Sequence, residues 1–313
     1  MPVILENCRR LTTQFAIRLA LSASAVLPIG LQRTIIHSMV MHAVRIPILR
    51  RRILVNMQAA LGQEFPTETI RLYFHHVAWF LSNAFSTFNA GIMATPVPYE
   101  VKFDESVRIL DAAISEGRGA ILVSPHWSGH ELFAAMLNRR HPVVMLVRQG
   151  STAERMRRKL KWYKAIGADV ALRPAAASTI KDAVAYLKVL KSGKILAITP
   201  DLLGNWSEGV EVRLFGRLTR LHGGAFALAV IAKAPIIRAS VRWESDNSIY
   251  CVFERAPMEF GVTKREVAIR TALQDWCDWF ESQLKLAPEN WLFWLDKRWS
   301  RFLREVPRVT CAQ

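Results

Sequence analysis

Between residues 100 and 256, apolar runs of strand length alternate with longer amphipathic runs of helix length. The segments GAILVSP (119–125), PVVMLVR (142–148), ADVALR (168–173) and KILAITPD (194–201) each have the apolar composition of a buried strand, and each precedes a helical pattern or a loop. Because the connections are short, the strands are expected to form a mixed, largely parallel sheet with helices on both faces. The sequence therefore predicts an α/β fold.

The N-terminal region has two apolar stretches bounded by arginines. The first, between Arg18 and Arg33, is an uncharged stretch of 14 residues, shorter than the ~20 residues that a membrane-spanning helix needs. The second ends at Arg45 and is followed by three arginines at 50–52. Three interpretations stay open: a signal peptide, one tilted span that begins near Leu11, or amphipathic helices that lie in the membrane interface. We therefore expect the α/β fold to be preceded by N-terminal membrane-associating helices.

The charge of the chain points to anionic partners. Lysine and arginine number 42 against 26 acidic residues, a formal net charge of +16. Anionic lipid, phosphorylated substrates and acidic carrier proteins fit this charge, whereas no nucleic-acid recognition motif accompanies it, so no nucleic-acid partner is expected. The four cysteines form no CxxC or metal-ligand spacing. We expect free thiols in a reducing compartment and no metal site.

Three polar residues fall where predicted strands end: His126, Arg148 and Asp201. In parallel sheets, ligands bind beyond these carboxyl ends. His126 belongs to the stretch SPHWSGHE (124–131), which also contains Glu131. On one continuous helix a spacing of five residues would point the two side chains about 140° apart, but a turn followed by a helix start would bring them together. A histidine backed by a carboxylate is a general base.

A structural explanation of the same stretch competes with this one. Ser128 and Glu131 match a capping box, in which the glutamate reaches back to a backbone N–H at the start of a helix. That motif accounts for Ser128 and Glu131 but leaves His126 unexplained. His130 is an alternative base, although its neighbour Glu131 would not face it on a helix.

Several motifs in collinear order resemble those of the bacterial lipid A biosynthesis acyltransferases, the lauroyl/myristoyl transferase group. The resemblance covers about residues 30–305 and departs from the family pattern at residues 127–130 and at Asp296, where the family has a histidine. The matching motifs are His126-x4-Glu131, Asn56-Met57 with Phe65-Pro66, Arg148, Pro200-Asp201 with Val212-Arg213-Leu214-Phe215-Gly216, and Pro288-Glu289 with Trp294-Leu295-Asp296-Lys297-Arg298-Trp299.

The resemblance implies a membrane-associated O-acyltransferase. It would move a fatty acyl chain from an acyl carrier protein or CoA thioester to a hydroxyl of a lipid A precursor or related glycolipid, without a further cofactor. Its location would be the bacterial inner membrane, with the site on the cytoplasmic face and an anionic membrane as partner. A phospholipid or lysolipid acyltransferase and an inactive lipid-binding homologue are the alternatives.

The residues and the resemblance together suggest roles and boundaries. His126 is expected to be the general base and Glu131 the carboxylate that orients it, while Arg148 and Asp201 bind substrate or the oxyanion. Headgroup or carrier docking is one interpretation of the basic side chains Arg155, Arg157, Arg158, Lys159, Lys161 and Arg298. For the run at 155–164, a solvated helix surface is the alternative. The expected organisation is an anchoring segment at 1–52, an acyltransferase domain at 53–305 and a tail at 306–313.

Overall fold

The computed structural model describes residues 27–89, 101–150, 152–174, 180–203, 209–244, 248–258, 260 and 264–305. Nine strands lie in these ranges: β1 (Val101–Phe103), β2 (Ala120–Val123), β3 (Val143–Arg148), β4 (Asp169–Arg173), β5 (Ile195–Ile198), β6 (Val210–Leu214), β7 (Arg217–Leu221), β8 (Ile236–Trp243) and β9 (Ile249–Arg255). Seven of them form the central sheet, in the order β1-β9-β8-β2-β5-β3-β4.

The central sheet is mixed and largely parallel. The strands β8, β2, β5, β3 and β4 run in one direction, whereas β9 pairs antiparallel with β8, and β1 follows β9. All four residues of β2, at the middle of the sheet, are buried, as expected for a strand covered on both faces. The predicted fold class is confirmed for the sheet and its flanking helices.

Ten α-helices lie in the described ranges. They are α1 (Ile29–Ala43), α2 (Pro47–Leu61), α3 (Thr67–Asn89), α4 (Val107–Ser115), α5 (His130–Leu137), α6 (Ala153–Ala165), α7 (Ile180–Lys191), α8 (Gly224–Ala232), α9 (Arg265–Leu286) and α10 (Lys297–Arg304), with 3₁₀ turns at Pro288–Asn290 and Leu292–Leu295 between α9 and α10. Helices α5, α7 and α8 pack against β3, β5 and β2, respectively. They thereby enclose the carboxyl ends of these strands.

A β-hairpin replaces the loop expected before α8. Strands β6 and β7 pair antiparallel and are joined by Phe215 and Gly216, which both have positive φ angles of 53° and 67°. Two residues of positive φ give the turn whose twist matches that of a hairpin. The hairpin packs on α9, where the Gln274 side chain accepts from the Arg213 N–H at 2.8 Å.

The N-terminal helices are joined to the rest of the protein by hydrogen bonds. Helix α1 packs along α3. In α2, the Arg52 guanidinium donates to the Ser300 hydroxyl at 2.9 Å and the Asn56 amide donates to the Trp294 carbonyl at 2.6 Å. The predicted boundary between residues 52 and 53 therefore falls inside one helix that contacts the C-terminal segment. Residues 1–26 and the predicted tail at 306–313 lie outside the described residues.

Helix α1 presents an apolar stripe to solvent. Leu31, Ile35 and Met39 follow one another at helical spacing and are 47%, 40% and 70% exposed. None of the helices in the described ranges combines the length and the apolar composition that a membrane crossing requires. The expectation that this region associates with a membrane stays a prediction.

Two of the four cysteines lie in the described ranges. Cys251 and Cys277 are buried and unpaired, and burial raises the pKa of both thiols. Such thiols are inert. The expectation of free thiols is confirmed for these two, while Cys8 and Cys311 lie outside the described residues.

Helix α3 contacts the sheet through a buried histidine. The His76 ring stacks on Trp243 at the end of β8, with 4.0 Å between ring centroids and 6° between planes. Burial, followed by the neighbouring charge of His75, lowers the pKa of His76 to about 3. The folded protein therefore holds this imidazole neutral over the pH range in which an unfolded chain protonates it.

We predict that this histidine makes the protein less stable in mild acid. As pH falls from 6.5 towards 3, the unfolded chain binds a proton that folded His76 does not, so the free energy of unfolding decreases. One such proton changes it by about 1.4 kcal/mol per pH unit. His76→Phe keeps an aromatic ring without the titration, and denaturant melts between pH 7 and 5 should show a shallower pH slope for it. Identical slopes would refute the assignment.

Candidate active site

The carboxyl end of β2 leads into a turn that carries His126. The C-terminal segment holds this turn through its backbone: the Leu292 N–H donates to the His126 carbonyl at 3.0 Å, and the Ser128 N–H donates to the Asn290 carbonyl at 2.9 Å. Gly129 ends the turn with φ of 92°, and a Cβ at this position would lie 3.3 Å from the Trp79 ring. The position of His126 is thus set by residues that are distant in sequence.

A carboxylate from the neighbouring strand holds His126. Strand β5 pairs with β2, and Asp201 lies just beyond its end. The Asp201 Oδ1 lies 2.6 Å from Nδ1 of His126, and its Oδ2 accepts from the backbone N–H of the same residue at 2.9 Å. A carboxylate at Nδ1 fixes the proton on that nitrogen and leaves the lone pair on Nε2.

Asp201 is fully buried, and tryptophans from the C-terminal segment complete its hydrogen bonds. The Trp291 indole donates to Oδ2 at 2.8 Å, and the Trp299 indole donates to the Asp201 carbonyl at 3.1 Å. Burial raises the pKa of the Asp201 carboxyl, but the charge and hydrogen bonds of His126 and the bond from Trp291 outweigh burial, so the pKa lies below its ordinary value. Asp201 is therefore ionised at neutral pH and stabilises a protonated His126.

Aromatic rings fix the plane of the His126 imidazole. The ring stacks on Phe293 at 4.2 Å and meets His130 edge-on at 4.9 Å between centroids. Its side chain is 19% exposed, and the residue lines a cavity at the carboxyl ends of the strands. The imidazole is thus held rigidly while a ligand in the cavity can approach it.

His130, the alternative base, is held neutral by its surroundings. It is buried, its Nδ1 lies 2.9 Å from the Trp127 carbonyl, and burial, followed by the charge of His126, lowers its pKa. A carbonyl at Nδ1 requires the proton there. Because a carboxylate supports His126 and a carbonyl supports His130, the geometry favours His126 as the base.

Glu131 does not orient His126, so the predicted pairing is wrong. Glu131 lies in the first turn of α5, as expected, but its two oxygens accept from the Trp162 indole at 2.6 Å and the Tyr163 hydroxyl at 2.5 Å, both on α6. Asp201 occupies the place behind the imidazole because β5 is the sheet neighbour of β2. Glu131 also lines the cavity, and its role in catalysis stays a prediction.

The capping box at Ser128 is likewise not formed. The residue before α5 is Gly129, and no side chain caps the helix. The Ser128 hydroxyl instead donates to the Asn290 carbonyl at 3.4 Å. Ser128 thus helps to join the turn to the C-terminal segment.

The cavity beside His126 has a volume of about 1020 Å³. One part of its lining is apolar and comes from the sheet and from helices α5 and α8. It includes Leu122, Phe133, Met145, Leu146, Leu228 and Ile231. Ligand pockets commonly combine such an apolar lining with a few polar groups, so the cavity fits a ligand with a substantial hydrocarbon part.

Cationic side chains line another part of the same cavity. Arg148 at the end of β3 is predicted to bind substrate or the oxyanion, and it lines the cavity together with Arg173. Lys159 of α6 and Arg298 of α10, which are predicted to dock a headgroup or carrier, line it as well. The Lys159 ammonium donates to the Arg148 carbonyl at 2.8 Å. Within the described residues, His126 and Trp291 donate to the Asp201 carboxylate.

The other basic residues predicted for docking lie on α6 away from the cavity lining. Arg155, Arg157 and Lys161 are exposed, and Arg158 is partly buried. They form a cationic outer surface beside the cavity. Their role in docking stays a prediction.

Sequence analysis missed Trp291 and Phe293, which contact the two central residues. Both lie between the two quoted parts of the C-terminal motif, Pro288-Glu289 and Trp294–Trp299. The tryptophans themselves are a usable signal. A buried carboxylate needs hydrogen-bond donors, and the indole N–H of tryptophan can only donate. Nothing in the local pattern, however, identifies which tryptophan meets Asp201.

A family model supports the resemblance found in the motifs. The model described as bacterial lipid A biosynthesis acyltransferase matches residues 6–301. The chain belongs to the bacterial lipid A biosynthesis acyltransferase family. Its membership implies an acyltransferase that acts on lipids, which agrees with a histidine–carboxylate pair beside a partly apolar cavity. No curated protein matches the chain.

We predict that His126 and Asp201 act as one unit in this acyltransferase. Asp201→Asn should lower kcat by about 10²–10⁴-fold, the usual contribution of a general base. In a His126→Ala background the same change should cost nothing further, because the base is already absent. Rates of acyl transfer for the two single variants and the double variant measure this, with circular dichroism to verify folding.

Glu131→Gln is the matched control for this cycle. Its hydrogen bonds go to α6, so its effect should add to that of Asp201→Asn. Suppose that the effects of the His126 and Asp201 substitutions on kcat add, whereas those of the His126 and Glu131 substitutions do not. That result would show that Glu131 supports the base.

Proposed function

We propose that this acyltransferase moves a fatty acyl chain from a thioester of acyl carrier protein or CoA to a hydroxyl of a lipid A precursor or related glycolipid. The observation that carries the proposal is the contact of 2.6 Å between Nδ1 of His126 and Asp201, beside a cavity with apolar and cationic walls. An acyl thioester and a lipid acceptor together need both kinds of wall.

In the first step the acceptor hydroxyl attacks the thioester carbonyl carbon. Its proton passes to Nε2 of His126, a C–O bond forms, and the electron pair of the carbonyl bond moves to oxygen. Asp201 stabilises the imidazolium that results, since its carboxylate is ionised and already bound at Nδ1. The excess positive charge of the described cavity lining favours the negative charge on oxygen through its electrostatic field.

In the second step the tetrahedral intermediate collapses. The carbon–oxygen double bond re-forms, the C–S bond breaks, and the thiolate takes the proton from His126 Nε2. The products are an ester and a free thiol, and the imidazole returns to its starting state. Donor and acceptor supply all the atoms and electrons of this exchange, so we propose no further cofactor.

The apolar wall offers a site for the acyl chain. Leu122 of β2, Met145 of β3, and Leu228 and Ile231 of α8 line it. Burying each methylene of the chain contributes about 0.8 kcal/mol to the free energy of binding. An acyl chain long enough to cover the apolar wall is therefore favoured over shorter chains.

The outer surfaces support docking at a membrane and on an acidic carrier. The exposed stripe of Leu31, Ile35 and Met39 on α1 has the composition of an interfacial anchor, with Arg45 beyond the end of that helix. Exposed basic residues of α6 suit an acidic carrier protein or anionic headgroups. We therefore propose the cytoplasmic face of the bacterial inner membrane as the place of action.

The proposal is tested with purified full-length protein in detergent micelles. Acyl carrier protein and CoA thioesters of several chain lengths are offered with a lipid A precursor or, separately, a lysophospholipid. We expect the lipid A precursor to gain the mass of one acyl group, with little product from His126→Ala. Acylation of the lysophospholipid alone would favour a phospholipid acyltransferase. Absence of transfer with every pair, despite binding to anionic vesicles, would favour an inactive lipid-binding protein.

A further inference from the structure

Two arginines lie side by side where neighbouring parallel strands end. Arg148 of β3 and Arg173 of β4 are partners in the register of the sheet, and the side chains of both line the cavity. Along the carboxyl edge the order is Arg173, Arg148, Asp201 and His126, because the strands follow as β4-β3-β5-β2. The arginine pair thus occupies the end of the site away from the base.

The described lining of the cavity has an excess of positive charge. Arg148, Lys159, Arg173 and Arg298 are cationic, and Glu131 is the carboxylate among the described lining residues, which leaves an excess of three positive charges (four minus one). Both oxygens of Glu131 already accept hydrogen bonds from α6. A cleft lined by one sign of charge concentrates ligands of the opposite sign. A fatty acyl chain carries no charge, so it does not account for this lining.

We propose that Arg148 and Arg173, with Lys159, bind the phosphate of the pantetheine arm that carries the acyl thioester. The inference rests on the proposed function and names the part of the donor that this end of the site recognises. Guanidinium groups bind phosphate oxygens through paired hydrogen bonds.

The spacing of the strands favours a donor phosphate. Arg173 lies three strands from His126 in the sheet order, which corresponds to about 14 Å at the usual interstrand distance. The reacting carbonyl lies at His126, so a phosphate at Arg173 must be separated from it by a long spacer. CoA and acyl carrier protein share such a spacer, the pantetheine arm, between thioester and phosphate. A phosphate on the acceptor lipid is the other source of the same chemistry.

Lys159 contributes position as well as charge. Its ammonium donates to the Arg148 carbonyl at 2.8 Å and is partly buried. The bond connects α6 to the end of β3, and the contact of Glu131 with Trp162 connects α6 to α5. The arginine pair therefore lies in a frame that is joined to the turn carrying His126.

The test compares S-acyl-4′-phosphopantetheine with S-acyl-pantetheine, which differ by one phosphate. For the native protein we expect KM to be about 10–100-fold lower with the phosphorylated donor, the range for hydrogen bonds to a charged group. Arg173→Gln should abolish most of this difference with little change in kcat, and Arg173→Lys should retain part of it. Arg139→Gln is the matched control. Arg139 is exposed and lies between α5 and the amino end of β3, whereas the cavity lies at the carboxyl ends of the strands.

Binding of the unacylated probes separates this inference from the proposed function. Calorimetric titration of 4′-phosphopantetheine and pantetheine into native protein, Arg173→Gln and Arg139→Gln needs no turnover. Tighter binding of 4′-phosphopantetheine than of pantetheine, lost in Arg173→Gln and kept in Arg139→Gln, supports the phosphate site even if no acyl transfer occurs. Equal binding of both probes, or full discrimination in Arg173→Gln, overturns it. If Arg173→Gln instead changes only the preference for phosphorylated over dephosphorylated acceptor lipid, the arginine pair binds the acceptor. That result also overturns the inference.

Discussion

The buried carboxylate of Asp201 is the interaction on which the site depends. A charge without water is stable only if hydrogen bonds replace the lost hydration. Three donors do so: the ring and backbone N–H of His126 and the Trp291 indole. These donors come from the end of β2 and from the C-terminal segment, while Asp201 follows β5. Satisfying one carboxylate therefore brings together three parts of the chain that are far apart in sequence, and fixes the imidazole at the border of the cavity.

The cavity combines two environments that acyl transfer requires at one place. Its apolar wall, with Phe133 and Leu228 among its residues, favours a hydrocarbon chain, while Arg148 and Arg173 favour an anion. Both environments follow from the sheet. Strand interiors and covering helices provide the apolar wall, and the ends of parallel strands provide the charged residues. The proposed donor and acceptor, each part hydrocarbon and part anion, would use both environments.

Much of this architecture could be predicted from sequence, because it depends on local patterns. The alternation of strands and helices gave the sheet, and the strand ends identified His126, Arg148 and Asp201. After β5 the sequence pattern predicts a loop, whereas the structure has the hairpin of β6 and β7, whose residues alternate in burial. The partner of His126 was predicted wrongly because Glu131 is close in sequence, whereas Asp201 becomes a neighbour only through the pairing of β2 with β5. Strand order is a property of the whole fold and is not encoded in local spacing.

The measurement that tests the account most directly is nitrogen NMR of the histidine rings in protein labelled with ¹⁵N-histidine, with His126 assigned by its loss in His126→Gln. Contact between Asp201 and Nδ1 at 2.6 Å predicts that the neutral form of the ring carries its proton on Nδ1 and a free lone pair on Nε2. Asp201→Asn should shift these signals, and Glu131→Gln should leave them in place. A neutral ring with its proton on Nε2, or signals that respond to Glu131→Gln and not to Asp201→Asn, would contradict the central claim.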